Sequence, residues 1–186
     1  MSVRAILVSA GLVSLSVGAL LFLEESRALL HIGDRAPDFS APSQSGERIR
    51  LSDFFGKKNI VLYFYPKDYT AGCTDQACAL RDNFQDLEKL EAVVLGVSAD
   101  EPLSHRMFAS SYNLPFTLLS DPDKAIIGIY GARWLGGMVP ITKRVTYIID
   151  KRGIVRAVFH HELNMPRHVE DALDSLRKLQ AQPVQE

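Results

Sequence analysis

The stretch NIVLYFYPKDYTAGCTDQACALRDNF, residues 59–84, decides the fold of this chain. It opens with β-branched and aromatic residues and almost no polar ones, which predicts a strand over residues 59–65 that is buried on both faces. Pro66 ends this strand, because proline cannot donate a hydrogen bond to a sheet. Apolar residues then recur at helical spacing between charged ones and predict a helix over residues 75–91. A buried strand that leads into an amphipathic helix indicates an α/β protein.

The alternation of strands and helices continues to the end of the chain. Further strands are predicted at residues 92–98, 116–120, 145–150 and 154–160, and further helices at residues 101–113, 121–131 and 166–180. Only the short turn Lys151-Arg152-Gly153 separates the last two strands, which predicts a β-hairpin. This order of elements implies a central mixed sheet with helices on both faces.

Composition places the chain among folded globular proteins. Of its 186 residues, 47% are hydrophobic and 23% are charged, a balance that disordered chains lack. The net charge of −1 leaves no basic excess, so the charge does not point to a nucleic-acid partner. The length suits one domain, which we place at residues 29–186, preceded by a short segment of residues 1–28.

An uncharged run dominates the segment of residues 1–28. Residues 5–23 contain no charged side chain, and their number is close to what a helix needs to cross a bilayer. Arg4 before the run, and Glu24 and Glu25 after it, favour a domain outside the cytoplasm. We therefore predict an apolar N-terminal helix, a membrane-associated protein and an extracytoplasmic domain, in the periplasm or a lumen.

This uncharged run has three interpretations. Ser26 and Ala28 are small residues at the spacing of a signal-peptide cleavage site, but the run is longer than a usual signal core. An uncleaved single-pass anchor is therefore favoured over a cleaved signal peptide. A buried core helix is the third interpretation, which is disfavoured because the run is apolar on every face and lies at the very N-terminus.

The two cysteines of the chain, Cys73 and Cys78, follow the first buried strand at the start of the next helix. Chemistry in open α/β sheets collects at the carboxyl ends of strands and the helix N-termini beside them. There the unpaired N–H groups and the helix dipole favour a thiolate over a thiol at Cys73. Thr70 stands three residues earlier, where its hydroxyl can cap the helix or reach the sulfur. Gly72 allows the backbone to come close to whatever approaches the sulfur.

A metal site or a structural disulfide explains the two cysteines poorly. Structural zinc takes four ligands, and two cysteines with four residues between them match its usual spacings badly. His160 and His161 are neighbours on a predicted strand, so at most one of them faces the site. In an intact helix, residues five apart have Cα atoms about 8.5 Å apart, whereas a disulfide needs less than about 7 Å. A bond that must unwind its own helix suits a reaction cycle better than a structural brace.

The stretch YFYPKDYTAGCTDQACALRD, residues 63–82, resembles the active-site segment of the peroxiredoxins, and specifically the bacterioferritin-comigratory, or Q-type, subgroup. The family motif of proline, threonine and cysteine is matched in register by Pro66, Thr70 and Cys73. Cys78 stands where the subgroup often has its resolving cysteine. The resemblance extends over nearly all of residues 31–180, through GDRAPDF at 33–39, LSDFFGKKNIVLYFYP at 51–66, VVLGVSAD at 93–100 and LPFTLLSDPD at 114–123.

The resemblance implies a thioredoxin-like fold and a thiol-dependent peroxidase that needs no metal or cofactor. Cys73 would attack hydrogen peroxide or an organic hydroperoxide and become a sulfenic acid. Thr70 would orient the peroxide, Pro66 would shield the sulfur, and Arg144 would favour the thiolate and stabilise the transition state. Cys78 would then form an intramolecular disulfide with Cys73, which a thioredoxin-like dithiol would reduce. With both cysteines in one chain, we expect a monomer.

The sequence departs from the subgroup at two positions. Tyr69 stands where an acidic residue is usual, and Ala71 stands where a proline is usual. Neither position supplies a reacting atom, although Tyr69 could influence which peroxides enter. The apolar loop of residues 132–143 carries the only tryptophan and has three interpretations: a pocket rim, a membrane-facing surface or an ordinary packed loop.

A second function remains open at the level of sequence. Membrane-tethered thioredoxin-fold proteins with two close cysteines and a histidine carry copper or exchange disulfides during enzyme assembly. Their cysteines usually have three residues between them, one fewer than here. Thr70, three residues before Cys73, favours the peroxidase.

Overall fold

The computed structural model describes residues 28–134, 141–161 and 164–181. The α-helices in this part of the chain are α1 (Ala71–Asp82), α2 (Phe84–Lys89), α3 (Pro102–Tyr112), α4 (Ala125–Ile129) and α5 (Met165–Ala181), and a 3-10 helix covers Leu51–Phe54. The strands are β1 (Ser40–Pro42), β2 (Arg48–Arg50), β3 (Asn59–Phe64), β4 (Ala92–Ser98), β5 (Thr117–Ser120), β6 (Arg133–Trp134), β7 (Ile141–Thr142), β8 (Val145–Ile149) and β9 (Val155–Phe159). The predicted apolar N-terminal helix falls on residues outside the described ones.

The main sheet has five strands in the order β5-β4-β3-β8-β9. β3, β4 and β5 are parallel, whereas β8 is antiparallel to β3 and β9 is antiparallel to β8. The predicted mixed sheet and the predicted C-terminal hairpin are therefore confirmed. The parallel strands bring their carboxyl ends to one edge of the sheet. The loop that connects β3 to α1 starts at this edge.

Side chains alternate between two hydrophobic cores because successive residues of a strand point to opposite faces of the sheet. Val61, Tyr63 and Tyr65 face the core that α1, α2, α3 and α5 cover. Ile60, Leu62 and Phe64 face the other core, which α4, the 3-10 helix and the segment around β1 cover. Both faces of β3 are thus buried, as its unbroken apolar sequence predicts.

The helix predicted over residues 75–91 is two helices in the structure, and the first begins earlier. α1 starts at Ala71, and the break falls at Asn83, whose φ of −107° and ψ of 10° leave the helical region. The Asn83 side chain donates a hydrogen bond of 2.9 Å to the Ala79 carbonyl, which also accepts from the Asn83 backbone N–H at 3.3 Å. The apolar spacing continues across the break, which explains why the sequence indicates one helix.

α4 is shorter than the predicted helix of residues 121–131. The Asp121 carboxylate accepts hydrogen bonds from the backbone of Ala125 at 3.0 Å and of Ile127 at 2.8 Å, so it caps the helix from outside. The β1–β2 pair, the β6–β7 pair and the 3-10 helix are absent from the sequence prediction. Segments of two to four residues are too short to show a hydrophobic period.

Candidate active site

Cys73 lies in the first turn of α1, directly beyond the carboxyl end of β3. Its side chain faces the core under the sheet and is only 1% exposed. Thr70 is the N-cap, so the Cys73 backbone N–H is among the first N–H groups of the helix, which have no partner within it. The positive end of the helix dipole is therefore next to the sulfur.

Arg144 reaches the sulfur from the neighbouring strand. Phe64 pairs with Val145 in the antiparallel β3–β8 ladder, so the residue before β8 stands opposite the end of β3. Arg144 Nη2 donates to Cys73 Sγ at 3.5 Å. A Cβ on Gly72 would lie 3.1 Å from the same nitrogen, so glycine leaves room for the guanidinium. Arg144 is buried, and among the described residues no carboxylate lies at ion-pair distance from it.

Gln76 is a site residue that sequence reasoning missed. It lies one helical turn after Cys73 and is fully buried, and its Oε1 accepts a hydrogen bond of 2.8 Å from Arg144 Nη1. Within the described structure, Gln76 Nε2 and Arg144 Nε are buried without a hydrogen-bond partner. A polar residue at the i+3 position, on the helix face that also carries Cys73, Ala77 and Leu80, was the signal that could have revealed it.

The Thr70 hydroxyl does not cap α1. It donates instead to the carbonyl of Lys67 at 3.0 Å, and the side chain is exposed. Tyr69, just before it, has a φ of 61° and lies in the left-handed region. Pro66 is half-buried at the start of this active-site loop, which we define as residues 66–70. The structure thus brings Cys73 and Arg144 together and places Thr70 at the N-cap, with its hydroxyl turned towards the loop.

Cys78 lies on the same helix as Cys73. Both cysteines are free thiols, and Cys78 is half-buried. Since residues 71–82 are continuously helical, the two cysteines stand at i and i+5 of an intact helix. At this spacing their Cα atoms are about 8.5 Å apart, beyond the reach of a disulfide.

A cavity of about 360 Å³ opens beside the active-site loop. Its described lining is mainly apolar and consists of Pro66, Trp134, Ile141, Thr142, Lys143 and His160. The described ends of the apolar loop of residues 132–143 therefore border a pocket that also includes Pro66.

His168 lies under the sheet and close enough to Arg144 for the two charges to interact. Its Nε2 donates to the His161 carbonyl at 2.8 Å, and its Nδ1 accepts from the Thr146 hydroxyl at 2.9 Å. Burial lowers the pKa of His168 to about 4, and the nearby Arg144 charge acts in the same direction. His168 is consequently neutral at pH 7 and adds no second positive charge behind the guanidinium.

A buried thiol in the first turn of a helix, a guanidinium at 3.5 Å from it and a second thiol on the same helix define a thiol-based oxidoreductase. The pattern of the AhpC/TSA family matches residues 32–158. The chain is 41% identical over 153 residues to a chloroplastic peroxiredoxin Q of Populus jackii, covering 82% of this chain and 70% of that protein. It is 40% identical over 151 residues to a putative peroxiredoxin bcp of Coxiella burnetii, and the match covers 79% of this chain and 99% of that protein.

Among solved structures, the peroxidoxin BcpB of Mycobacterium tuberculosis superposes with a TM-score of 0.75 at 34% identity, covering 81% of this chain and 98% of that one. The chain belongs to the AhpC/TSA family, as a relative of peroxiredoxin Q and bcp proteins. It is a peroxiredoxin-type thiol peroxidase, and its thioredoxin-like α/β fold is confirmed.

The predicted location is wrong. The relatives are chloroplastic peroxiredoxins and a bacterial bcp protein, and no helix in the described ranges is long and apolar enough to cross a bilayer. An uncharged N-terminal run also occurs in segments that serve only for targeting or processing, so apolarity alone did not determine the location. The copper-carrying or disulfide-exchanging alternative finds no support, since the relatives are peroxiredoxins.

Proposed function

We propose that this peroxidase reduces hydrogen peroxide and organic hydroperoxides through Cys73, with Arg144, Thr70 and Pro66 completing the catalytic site. The observation that carries the proposal is the 3.5 Å contact between Arg144 Nη2 and Cys73 Sγ in a buried site. A buried cation is costly unless a negative group compensates it. Among the described residues, the group that can compensate Arg144 is the Cys73 thiolate, which is the form that attacks a peroxide.

In the first step, the Cys73 thiolate attacks one peroxide oxygen and the O–O bond breaks. Sulfur is oxidised to a sulfenic acid, and the second oxygen leaves as water or an alcohol after taking a proton. Arg144 and the N–H groups of the first turn of α1 stabilise the negative charge that spreads over the two oxygens. Thr70 orients the peroxide once its hydroxyl turns from the Lys67 carbonyl, and Pro66 shields the sulfur.

In the second step, Cys78 condenses with the Cys73 sulfenic acid. The S–S bond forms, the S–O bond breaks, and the hydroxide leaves as water with the proton of the Cys78 thiol. α1 must unwind for this, because the two residues stand at i and i+5 of one helix. A thioredoxin-like dithiol then reduces the disulfide by thiol–disulfide exchange.

The cavity beside Pro66 supports the extension to organic hydroperoxides. Trp134 and Ile141 line it and are 49% and 46% exposed, so apolar surface stands open next to the catalytic motif. An alkyl chain that enters the cavity would remove this surface from water, which stabilises the complex by about 25 cal/mol per Å².

We place the whole catalytic apparatus in one domain of residues 29–186 that acts as a monomer. Every residue assigned above comes from one chain, and both cysteines lie on one helix. The cycle therefore needs no residue from a second subunit.

Peroxide consumption by the purified protein, with thioredoxin and then glutathione as the reductant, tests the proposal. Cys73→Ser should show no turnover above background, because a hydroxyl is too weak an acid to supply the nucleophile. With one equivalent of peroxide and no reductant, Cys78→Ser should stop at the sulfenic acid. Turnover by Cys73→Ser would exclude the mechanism.

A further inference from the structure

Asp68 and His105 form a buried ion pair behind the active-site loop, and the peroxidase cycle described above uses neither residue. Asp68 Oδ2 lies 2.9 Å from His105 Nδ1, and the two side chains are 1% and 0% exposed. The Tyr65 hydroxyl donates to Asp68 Oδ1 at 2.8 Å, and the Ser104 hydroxyl donates to Asp68 Oδ2 at 2.7 Å. The carboxylate thus meets three donors, as a buried charge requires.

The geometry places a proton between the two residues. His105 Nε2 faces the Leu119 carbonyl at 3.2 Å, and a carbonyl can only accept, so Nε2 carries a hydrogen. Without a further proton, the lone pair of Nδ1 would face the carboxylate. Burial by itself raises the pKa of Asp68, but His105, followed by Ser104 and Tyr65, outweighs it and holds that pKa below its ordinary value. The contact is therefore a charge-assisted hydrogen bond.

This pair fixes the middle of the active-site loop to the rest of the fold. His105 and Ser104 belong to α3, so the carboxylate ties the loop to that helix. The Asp68 backbone N–H donates to Asp100 Oδ2 at 2.9 Å, and the Ser98 hydroxyl donates to the same oxygen at 2.6 Å. The loop is consequently held to the end of β4 as well.

The chain then turns sharply between this anchor and α1. Tyr69 adopts a φ of 61°, in the left-handed region that is unfavourable for a residue other than glycine. Its ring packs edge-on against the Phe108 ring of α3, with 5.1 Å between the two ring centroids. Thr70 follows as the N-cap, so the position of Asp68 determines where α1 begins and where the N–H groups near Cys73 point.

We infer that Asp68 is a positioning residue for peroxide reduction: its ion pair with His105 holds the active-site loop on α3 in the geometry that lets Thr70, Cys73 and Arg144 act on one peroxide. The inference rests on Cys73 being the thiol that reacts with peroxide. The proposed positioning role predicts different effects on two reactions of that thiol, peroxide reduction and alkylation. Peroxide reduction depends on the alignment of several groups, whereas alkylation by iodoacetamide depends on the thiolate alone.

The test compares three variants of the full chain with the wild type: Asp68→Ala, Asp68→Asn, and Asp68→Ala combined with His105→Leu. Two rates are measured at Cys73, oxidation by hydrogen peroxide and alkylation by iodoacetamide, together with thermal stability. Asp68→Ala should lower the oxidation rate at least about tenfold, while alkylation stays near the wild-type rate. Asp68→Asn should recover most of the oxidation rate, because its amide oxygen can accept from Tyr65 while its amide nitrogen donates to a neutral His105 and to the Ser104 hydroxyl oxygen.

The double variant keeps the test valid if Asp68→Ala alone fails to fold. Removing both charges avoids leaving one buried without a partner, so stability should recover towards the wild-type value. The oxidation rate should nevertheless stay low, since the loop is still not anchored. A double variant that recovers both stability and oxidation rate would overturn the inference, as would an equal fall of both rates in Asp68→Ala.

Two controls complete the design. Asp86→Ala removes an exposed carboxylate that pairs with Lys89 at the surface, and it should change neither rate. Cys73→Ser should lose the peroxide-dependent oxidation entirely. If it does not, the assignment of the reacting thiol fails, and that result is distinct from a failure of the positioning role.

Discussion

At the scale of single residues, the Arg144 guanidinium is buried with a thiol and an amide as its hydrogen-bond partners. Moving a cation out of water costs several kcal/mol unless negative charge compensates it. Gln76 supplies only a dipole, so it can orient the guanidinium without neutralising it. The positive charge of Arg144 can therefore attract the Cys73 sulfur, and also the peroxide oxygens during the reaction.

Gln76→Met should slow the oxidation of Cys73 by peroxide about tenfold. The change keeps the volume of the side chain but removes the acceptor of Arg144 Nη1, and a hydrogen bond to a charged group contributes about 1.5–3 kcal/mol. Stopped-flow measurement of sulfenic acid formation checks this. Gln76→Glu keeps an acceptor at the same place but adds a charge that neutralises the guanidinium, so it should not restore the wild-type rate. Wild-type rates in Gln76→Met would show that Arg144 needs no anchor.

His168 should make the protein less stable as the pH falls from about 6.5 to about 4. Its pKa is about 4 in the folded state against the ordinary histidine value of 6.5, so the unfolded chain binds an extra proton in this window. The free energy of unfolding therefore rises with pH there, with a contribution on the order of 2–3 kcal/mol over the whole window.

Urea unfolding at pH 7.5 and pH 5.0 measures this effect. His168→Gln should lose less stability between the two values than the wild type, by about 2 kcal/mol. His31→Gln replaces an exposed histidine and should follow the wild type. Equal pH dependence in wild type and His168→Gln would assign the acid sensitivity to other groups.

Sequence reasoning at this scale reaches residues that a linear motif carries and misses those that only the fold brings together. Arg144 is predicted through a family resemblance, with Arg133 and Lys143 close by in the chain. In the structure, Arg133 donates to the Lys124 carbonyl at 2.7 Å, and Lys143 lines the cavity. The pairing of Asp68 with His105 spans 37 positions, so no local pattern could reveal it.

At the scale of elements, α1 must be stable enough to hold Cys73 and weak enough to unwind. Its amino end is fixed to α3 through Asp68. Its last turn is fixed to the same helix, because Arg81 Nη1 donates to the Tyr112 carbonyl at 2.8 Å. The part between these two attachments contains both cysteines, so unwinding can occur there without releasing the ends.

Oxidation should therefore speed amide exchange in residues 73–80 while β3 stays protected. Local opening of this kind costs only a few kcal/mol, less than global unfolding. Hydrogen exchange with mass spectrometry on reduced and oxidised protein checks this prediction. Cys78→Ser treated with peroxide is the control and should show no acceleration, although excess peroxide should carry Cys73 on to sulfinic acid. Unchanged exchange in oxidised wild type, or disulfides that are only intermolecular, would refute the role of Cys78.

The boundaries of the elements show why the sequence was sufficient for the sheet and insufficient for the helices. β3 has apolar residues on both faces, and its central position in the sheet buries both. The division between α1 and α2 falls at Asn83, whose backbone leaves the helical region without interrupting the apolar spacing. The hydrophobic period therefore predicts which face of a helix is buried, but it does not predict where the helix backbone bends.

At the scale of the whole molecule, the described N-terminal end is packed into the second core. Leu29 and Leu30 lie against the apolar residues on the α4 side of the sheet. A Cβ on Gly131 would overlap the backbone of Ala28, and Gly131 itself has a φ of 67°. The first residues of the proposed domain are therefore part of the second core.

A chain that begins at Ile32 should be less stable than one that begins at Ala28, by about 2 kcal/mol. The shorter chain loses the two partly buried leucines, and full burial of one leucine side chain contributes about 1.5–3 kcal/mol. Urea unfolding of the two proteins measures the difference, and peroxide oxidation of Cys73 should be the same in both, because the site is assembled at the carboxyl edge of the sheet. As a matched control, Ile32→Ser in the longer chain alters a side chain that is 68% exposed and should change stability by less than about 0.5 kcal/mol. Equal stability of the two chains would show that residues 28–31 contact the core without contributing to the free energy of unfolding.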